Sequence, residues 1–321
     1  MASIPSVHRP SVREAAMNDP ILVTGAHRTG TTWVGKMLAA NSRTAYVSEP
    51  LNVLHRPGVL SAKVPYWYTY ICEDNEAAYL LPFRELLSHR YHLAAEIRSL
   101  RSLRDLVRMG RDAGIFLRGR IFHQRPLLKD PFAVFSLPWF AERLNCCIVV
   151  TVRHPAGFAS SLKRLGWTFD FRDLLNQPLL MRDHLEPHRR EMQTLAADDV
   201  IGQAALLWAM VYRLVHAARE RIPSMRVVRH EDLSLDPVPG FRRLYGELEL
   251  PFGPDVERVV LNSSSSENPV ELSSRQVHSV KLDSRANLDN WKRRLSADEL
   301  SRVRRVTEEV AHLYYPEVEW N

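Results

Sequence analysis

The sequence predicts an α/β fold in which a doubly wound parallel sheet of about five strands is flanked by helices and carries helical insertions. Short apolar runs alternate along the chain with segments of helical periodicity, and the clearest run covers residues 146–152. Continuous apolar strands are typical of a parallel sheet that is covered on both faces. The 321 residues are enough for one such domain, which we place at 20–321.

The predicted strands follow one another at 21–24, 44–47, 126–129, 146–152 and 225–229, because each range is rich in apolar or β-branched residues. Helices are predicted at about 31–40, 156–165, 200–221 and 297–314. Residues 66–118 are predicted to be mostly helical, since leucines recur there at helical spacing with arginines between them. Residues 1–19 are expected to be a flexible leader, and the run Ser263–Ser266 a mobile loop.

Composition excludes several classes of protein. A hydrophobic content of 45% and a charged content of 25% are ordinary for a globular chain, and three cysteines cannot form a disulfide scaffold. No uninterrupted apolar run approaches the ~18 residues of a membrane span, and no secretory signal is visible, so a cytoplasmic location is the expectation. The net charge of +6 favours anionic partners without naming one.

The most informative segment is a glycine-containing turn between the first strand and the first helix. Gly25 and Gly30 have the spacing of a P-loop-like turn, in which backbone N–H groups and a helix N-terminus face an anion. A Walker A loop would have Lys at the position of Thr31, whereas the nearest cation here is Arg28, inside the loop. The pattern therefore favours an anion other than a Mg²⁺-bound triphosphate.

The segment 27–33, His-Arg-Thr-Gly-Thr-Thr-Trp, resembles the loop of sulfotransferases that use 3′-phosphoadenosine-5′-phosphosulfate (PAPS). It is most similar to the carbohydrate and tyrosyl-protein branches. The resemblance implies that Arg28 stabilises the leaving phosphate and that the loop holds the 5′-phosphate. The implied donor-binding residues are His27, Arg28, Thr29, Gly30, Thr31, Thr32 and Trp33, although Trp33 is equally typical of a core residue.

Two further segments are similar to family motifs for the 3′-phosphate. Arg153 ends the fourth strand and Ser161 follows eight residues later, which is the family's spacing. Arginine can donate two hydrogen bonds to a phosphate, and serine can donate one. Residues 284–292 resemble the family's C-terminal loop, with Arg285 at a cationic position but without the two glycines. The segment Arg229–Leu233 also resembles a family motif, which we interpret as structural.

The resemblance also implies a general base. The small-molecule branch has His where this chain has Pro131, whereas the tyrosyl-protein branch has Glu 21 residues after its loop arginine, which is Glu49 here. We therefore assign Glu49 as base, with Asp130 as the alternative, and expect Lys129 to steady the transferred sulfonate.

The acceptor is expected to be a hydroxyl group of a carbohydrate, a lipid-linked molecule or a small natural-product alcohol. Aromatic residues at 66–70 and at Trp167, Phe169 and Phe171 either line its pocket or belong to the core. Two other functions stay open: a P-loop small-molecule kinase, and a nucleic-acid binder, which the scattered basic residues disfavour. No metal site is expected, and the oligomeric state is not predicted.

Overall fold

Five parallel strands form one sheet in the computed structural model, which describes residues 19–54, 56–271, 281–315 and 320. Their bounds are β1 Ile21–Thr24, β2 Thr44–Ser48, β3 Arg125–Lys129, β4 Cys147–Val152 and β5 Arg226–Arg229. The spatial order is β2-β3-β1-β4-β5, and every neighbouring pair is parallel. The predicted fold class and all five strands are confirmed. The predicted leader lies outside the described residues, apart from Asp19.

Both faces of the sheet are buried, and neighbouring residues of one strand belong to different cores. Leu22 packs in the larger apolar cluster, whereas Ile21 and Val23 pack in the smaller one. Alternate side chains of a strand point to opposite faces, so each face of β1 is covered by its own layer of helices. This is the physical reason why the strands read as continuous apolar runs.

Helices fill the connections between the strands and extend beyond them. Their bounds are α1 Thr31–Leu38, α2 Leu80–Leu87, α3 Leu93–Ser99, α4 Leu103–Ile121, α5 Leu137–Leu144, α6 Pro155–Leu165, α7 Arg172–Leu175, α8 Pro178–Leu180, α9 Arg189–Thr194, α10 Val200–Arg221, α11 His230–Leu235, α12 Pro237–Glu247, α13 Pro254–Ser264, α14 Asn290–Arg294 and α15 Ala297–Ala311. Short 3₁₀ turns occur at Glu76–Ala78, Pro131–Ser136 and Glu186–His188, with a π turn at Met181–Leu185.

Local chemistry sets several helix ends. The ring of His154 accepts a hydrogen bond from the Ala156 N–H, Pro155 is the first residue of α6, and Gly166 ends that helix with φ of 62°. Proline suits a first helical position because the N–H it lacks would have no intrahelical partner, and glycine tolerates a positive φ. Helix α15 begins with a capping box between Ser296 and Glu299.

The prediction of a mostly helical 66–118 is confirmed only after residue 75. The segment 66–70 is irregular because its backbone finds other partners. The side chain of Gln177 accepts a hydrogen bond from the Tyr70 N–H and donates one to the Tyr68 carbonyl, and Thr69 donates to the Tyr66 carbonyl. These contacts replace the bonds that a helix would supply.

The serine run is divided between a helix and the segment after it, so the predicted loop is right for only its second half. Ser263 and Ser264 form the last turn of α13, and Ser263 is buried, whereas Ser265 and Ser266 are not helical. The hydroxyl groups of Ser263 and Ser264 donate to the Val260 carbonyl, which is how serines fit the last turn of this helix.

Helix α10 is long and apolar enough to cross a membrane by length and composition, and it is the one such helix in the described ranges. The sequence analysis expected no such segment. Most of its apolar window is buried inside the protein, where it packs against α6 and α15. Core helices of globular proteins meet the same criterion, so this observation is weak evidence for a membrane span.

Candidate active site

The candidate site lies at the carboxyl ends of the parallel strands. The chain leaves β1 at Thr24 and β4 at Val152, and these strands are hydrogen-bonded neighbours. After β1 the chain moves to β2 and β3 on one side of the sheet, and β4 lies on the other side, so the strand order reverses here. Crevices in open α/β sheets form at such reversals. A cavity of about 680 Å³ lies at this edge.

The loop between β1 and α1 is held in an unusual backbone conformation. Gly25 and Gly30 have φ of 137° and 98°, and a Cβ on Gly25 would lie 2.4 Å from the Thr151 carbonyl oxygen. Glycine is therefore required at position 25 by both its dihedral angle and its close approach to β4. Arg28 also has a positive φ of 69°, which is an unfavourable backbone conformation for a residue with a Cβ.

The N-terminus of α1 faces the cavity. Gly30, Thr31, Thr32 and Trp33 line it, the first turn contains no acidic residue, and no side chain caps the helix. The first N–H groups of a helix lack intrahelical partners and lie at the positive end of the helix dipole. This end of α1 can therefore bind an anion.

Arg28 joins the first motif to the second. Its Nε donates a hydrogen bond to Ser161 Oγ at 3.3 Å, and its guanidinium lies 5.7 Å from the ring centre of Trp167. Arg153 lines the same cavity, so the loop after β1, the end of β4 and helix α6 all contribute to one site. The spacing of Arg153 and Ser161 in the sequence thus corresponds to proximity in space.

The cations of this site are packed together. Burial lowers the pKa of Arg28 to about 10, with further lowering from the nearby charges of Arg153 and Arg164. Burial also lowers the pKa of Arg153, while the carboxylate of Glu231 opposes that change. Grouping buried like charges costs free energy, which an anion bound among them would offset.

A lysine and a glutamate from neighbouring strands form an ion pair at the edge of the cavity. Lys129 Nζ bonds to Glu49 Oε1, and Asn52 Nδ2 donates to Glu49 Oε2 at 2.9 Å. Ser48 is the register partner of Lys129, which explains why the residue after β2 meets the end of β3. Glu49 has a positive φ of 51° and lines the cavity, so its backbone is strained at the point where its side chain enters the site.

Asp130 has a different environment from Glu49. It is 1% exposed, and its two oxygens accept hydrogen bonds from the N–H groups of Leu51 and Phe132, at 2.6 and 3.0 Å. Burial raises its pKa to about 7. Because both oxygens bind backbone groups, Asp130 holds the segments after β2 and β3 together.

The family follows from the sequence together with this geometry. A family model described as "Sulfotransferase family" matches residues 20–254, which is well over half of the chain. This chain belongs to the sulfotransferase family. The enzyme is therefore a sulfotransferase, and the recognition made from the loop 27–33 is confirmed. A search of curated protein sequences finds no match.

Several solved structures are similar to this sulfotransferase. A sulfotransferase domain from the curacin biosynthetic pathway has 16% identity and a TM-score of 0.49, with 91% of this chain and 97% of that one covered. Sulfotransferase STF9 from Mycobacterium avium has 15% identity and a TM-score of 0.47, with 94% of this chain and 78% of that one covered. Mouse sulfotransferase SULT7A1 complexed with PAP has 11% identity and a TM-score of 0.40, with 95% of this chain and 89% of that one covered. These similarities are low, so the family assignment rests on the family model.

The structure brings most of the predicted site residues of the sulfotransferase to one cavity. Those that line it are His27, Arg28, Gly30, Thr31, Thr32, Trp33, Glu49, Arg153 and Ser161. Lys129 reaches the site through Glu49, while its aliphatic part packs against Gly35 of α1.

Two residues that were predicted to bind the sulfonate donor do not line the cavity. Thr29 is buried, and its hydroxyl donates to the Ala26 carbonyl at 2.6 Å, which stabilises the loop from within. Arg285 is not among the cavity residues, and its guanidinium donates to the Leu235 carbonyl at 2.7 Å. The absence of the two motif glycines around Arg285 is the sequence difference that accompanies this placement.

The residues that line the cavity and that sequence reasoning missed include three basic ones: Arg164, His230 and Arg294. Arg164 follows Ser161 by three positions on α6, so helical spacing could have identified it. Arg294 donates to Ser160 Oγ at 2.7 Å from the far end of the chain, and no local signal predicts that contact. His230 belongs to the segment interpreted as structural, yet its Nδ1 is buried and has no hydrogen-bond partner among the residues that the structure describes.

Trp33 and His27 line the cavity and are also tied to the core. Trp33 Nε1 donates to Ser263 Oγ at 2.9 Å, and its ring packs edge-on against Phe241. Both interpretations of Trp33 are thus compatible with its position. The hydroxyl of Tyr68 lies 2.7 Å from His27 Nδ1 and accepts the His27 backbone N–H at 3.2 Å, which orients the imidazole.

Acidification should destabilise this protein through buried neutral histidines. Burial lowers the pKa of His27 and His154 to about 4 and that of His230 to about 3, against 6.5 for an ordinary histidine. At a pH between the folded and the ordinary pKa values, the unfolded chain binds more protons than the folded protein does. The free energy of unfolding therefore falls as the pH falls through this range. Each histidine should contribute a loss of about 2 kcal/mol at pH 5 relative to pH 7.

The measurement is the melting temperature by circular dichroism from pH 8 to pH 5. We expect His154→Asn, which keeps an oxygen to accept the Ala156 N–H, to show a smaller fall than the wild type. His123→Asn at an exposed position is the control and should follow the wild type. Equal falls for all three proteins would contradict the assignment of His154 as a buried neutral group.

Proposed function

We propose that this sulfotransferase transfers a sulfonate group from PAPS to a hydroxyl group of an acceptor by in-line displacement. The observation that carries the proposal is the contact between Arg28 and Ser161, which lies with Arg153 at one cavity. One buried cationic site is thereby built from the phosphate loop and from the motif after β4. A donor with phosphates at both ends of its ribose needs such a two-part site.

The residues present fit this donor. The α1 N-terminus and Arg28 supply hydrogen-bond donors for one phosphate, and Arg153, Ser161 and Arg294 supply donors for another. His230 and Trp33 can contact the adenine base of the donor, since their ring centres are 5.7 Å apart. His230 offers its Nδ1, which has no partner among the described residues, and Trp33 offers an aromatic surface. When PAPS is bound, it supplies a sulfonate joined to a phosphate that can leave.

Arg28 has two functions in this proposal. Its guanidinium stays protonated at neutral pH, since its pKa is about 10. It binds the 5′-phosphate and neutralises negative charge on the bridging oxygen as that oxygen leaves. The hydrogen bond to Ser161 and the positive φ hold this side chain in place before reaction, which reduces the reorganisation needed in the transition state.

Glu49 accepts the proton of the acceptor hydroxyl in this proposal. Its carboxylate lines the cavity and is oriented by Lys129 and Asn52. Lys129 is 2% exposed, so its charge is little screened by solvent and can stabilise the transferred sulfonate beside Glu49. The loop cation and the base thus come from the ends of different strands around the same space.

The acceptor end of the cavity is lined by aromatic residues. Trp67 and Phe132 pack with ring centres 4.5 Å apart, and Trp167 and Phe169 also line the space. Tyr68, Tyr70 and Phe171, which the sequence offered as further candidates, are buried in the core. We propose a hydroxyl-bearing small molecule, glycan or lipid as acceptor, and a single domain over 20–321 working in the cytoplasm.

A small-molecule kinase is not favoured. The chain belongs to a sulfotransferase family, and Thr31 replaces the lysine that a nucleoside triphosphate site needs. Among the described residues no group of three or more His, Cys, Asp or Glu side chains could hold a metal ion.

Isothermal titration calorimetry of the full chain tests the donor. We expect adenosine-3′,5′-bisphosphate to bind in the absence of Mg²⁺, and AMP, which lacks the 3′-phosphate, to bind at least about tenfold more weakly. ATP with Mg²⁺ is the comparison for the kinase alternative. Failure of adenosine-3′,5′-bisphosphate to bind, or equal affinity for AMP, would contradict the proposed donor.

A further inference from the structure

Helix α4 exposes an apolar stripe along its length. Leu103, Val107, Leu117 and Ile121 are 83%, 75%, 60% and 58% exposed. Their spacing places them on one side of the helix, and the positions between them on that side are Gly110 and Gly114. Among the described residues, a Cβ on either glycine would meet no atom within 4 Å, so no described part of the chain packs against the middle of the stripe.

The opposite side of α4 attaches the helix to the protein. Asp112, Phe116 and Gly119 are its buried residues, and Asp112 bonds to Arg56 at 2.9 Å. The stripe is therefore a second apolar surface in addition to the one that packs in the core. Further exposed apolar side chains are Leu106 on α4 itself, Phe122 just after it, and Leu93 and Ile97 on α3.

Arginines flank the stripe. Arg104, Arg111 and Arg118 recur every seven residues and are exposed, about 60–100° around the helix from the centre of the stripe. Arg120 lies on the other flank. The acidic residues of 93–122 are turned away: Glu96 and Asp112 are buried, and Asp105 pairs with Arg108 at 3.0 Å. The exposed side chains of this face are thus apolar and cationic, and the carboxylate of Asp112, which bonds to Arg111 at 3.1 Å, is buried.

We propose that α3 and α4 dock on the surface of an anionic lipid bilayer, with α4 lying parallel to the membrane plane. Apolar side chains on one helical face enter the boundary between headgroups and acyl chains, while flanking arginines bind lipid phosphates. A second copy of the chain fits less well, because two identical faces would bring their arginines together with no carboxylate to pair them. The charge pattern therefore favours an anionic lipid surface over a second copy of the chain.

Vesicle co-sedimentation of the full chain tests the proposal. We expect binding to vesicles of phosphatidylcholine with 30% phosphatidylserine, and little binding to phosphatidylcholine alone. The triple variant Arg104→Gln/Arg111→Gln/Arg118→Gln should lose at least about tenfold in partitioning. Its matched control, Arg242→Gln/Arg243→Gln/Arg258→Gln, removes the same charge from exposed positions of α12 and α13 and should bind like the wild type.

The apolar contribution has its own pair of variants. Leu103→Ser/Val107→Ser should reduce binding to the anionic vesicles, whereas Val259→Ser/Leu261→Ser, at exposed positions of α13, should not. Hydrogen exchange on the unmodified chain gives an independent result, in which vesicles should protect Leu103–Ile121. Absence of vesicle binding, protection elsewhere only, or a dimer in sedimentation equilibrium that the α4 variants dissociate would overturn the proposal. Donor affinity is unaffected by any of these outcomes.

Discussion

Glu49→Gln should lower the turnover number by about 10²–10⁴-fold while leaving the affinity for adenosine-3′,5′-bisphosphate close to that of the wild type. The amide keeps the shape of the side chain and one of the two acceptor oxygens that bind Lys129 and Asn52, but it cannot accept a proton from the acceptor hydroxyl. Steady-state sulfonate transfer and calorimetry on the same preparation separate the effect on chemistry from the effect on donor binding.

Asp130→Asn is the matched control for this substitution, because it neutralises the neighbouring carboxylate that we considered as the alternative base. Asp130 accepts two backbone N–H groups, and an amide oxygen cannot replace both oxygens. We therefore expect a loss of about 1–3 kcal/mol in the free energy of unfolding, and near-normal turnover per folded molecule. Normal turnover of Glu49→Gln together with an inactive, folded Asp130→Asn would transfer the role of base to Asp130.

Arg153→Ala should weaken binding of adenosine-3′,5′-bisphosphate by about 10–100-fold and leave AMP binding nearly unchanged. The reason is geometric: Arg153 directly follows β4, lines the same cavity as the α1 N-terminus, and can donate two hydrogen bonds to a phosphate there. Calorimetry with the two nucleotides measures the loss as a change in discrimination rather than in overall affinity.

Arg28→Ala is the comparison for Arg153→Ala, since it removes a second half-buried arginine from the same cavity. We expect it to lower turnover by about 10²–10³-fold, because it removes charge next to the leaving oxygen, with a smaller effect on discrimination between the two nucleotides. If both variants changed nucleotide discrimination equally, the division of roles between the loop after β1 and the end of β4 would be wrong.

The backbone conformations of Arg28 and Glu49 could not be predicted from the local sequence. Arg28 and Glu49 were identified from motif spacing, but nothing in their neighbours indicated that both would have a positive φ. Such conformations persist only where the surrounding structure imposes them. For Glu49, that structure is the hydrogen bond from its N–H to the Lys129 carbonyl at 2.7 Å, which joins residues far apart in the chain.

The electrostatics of the site also depend on long-range contacts. Lys129 was expected to steady the transferred sulfonate, and in the structure its ammonium group forms an ion pair with Glu49 that the register of β2 and β3 creates. Arg294 reaches Ser160 and the cavity, whereas Arg285, only nine positions earlier, bonds to Leu235. A motif with altered glycines could not distinguish these two arginines, because the path of the backbone between them decides which one enters the cavity.

By itself the sequence determined the class of fold, the order of its strands along the chain, the position of the glycine-containing turn after β1 and the family. These features rest on local properties: apolar runs that bury both faces of a strand, glycines that permit a tight turn, and the spacing between an arginine after a strand and a serine on the next helix. Only the tertiary structure decided the order of strands in the sheet and which charged side chains share the cavity. Those depend on hydrogen-bond register and packing between residues far apart in the chain, such as Arg294 and Ser160, which are separated by 134 positions, and no local pattern encodes such contacts.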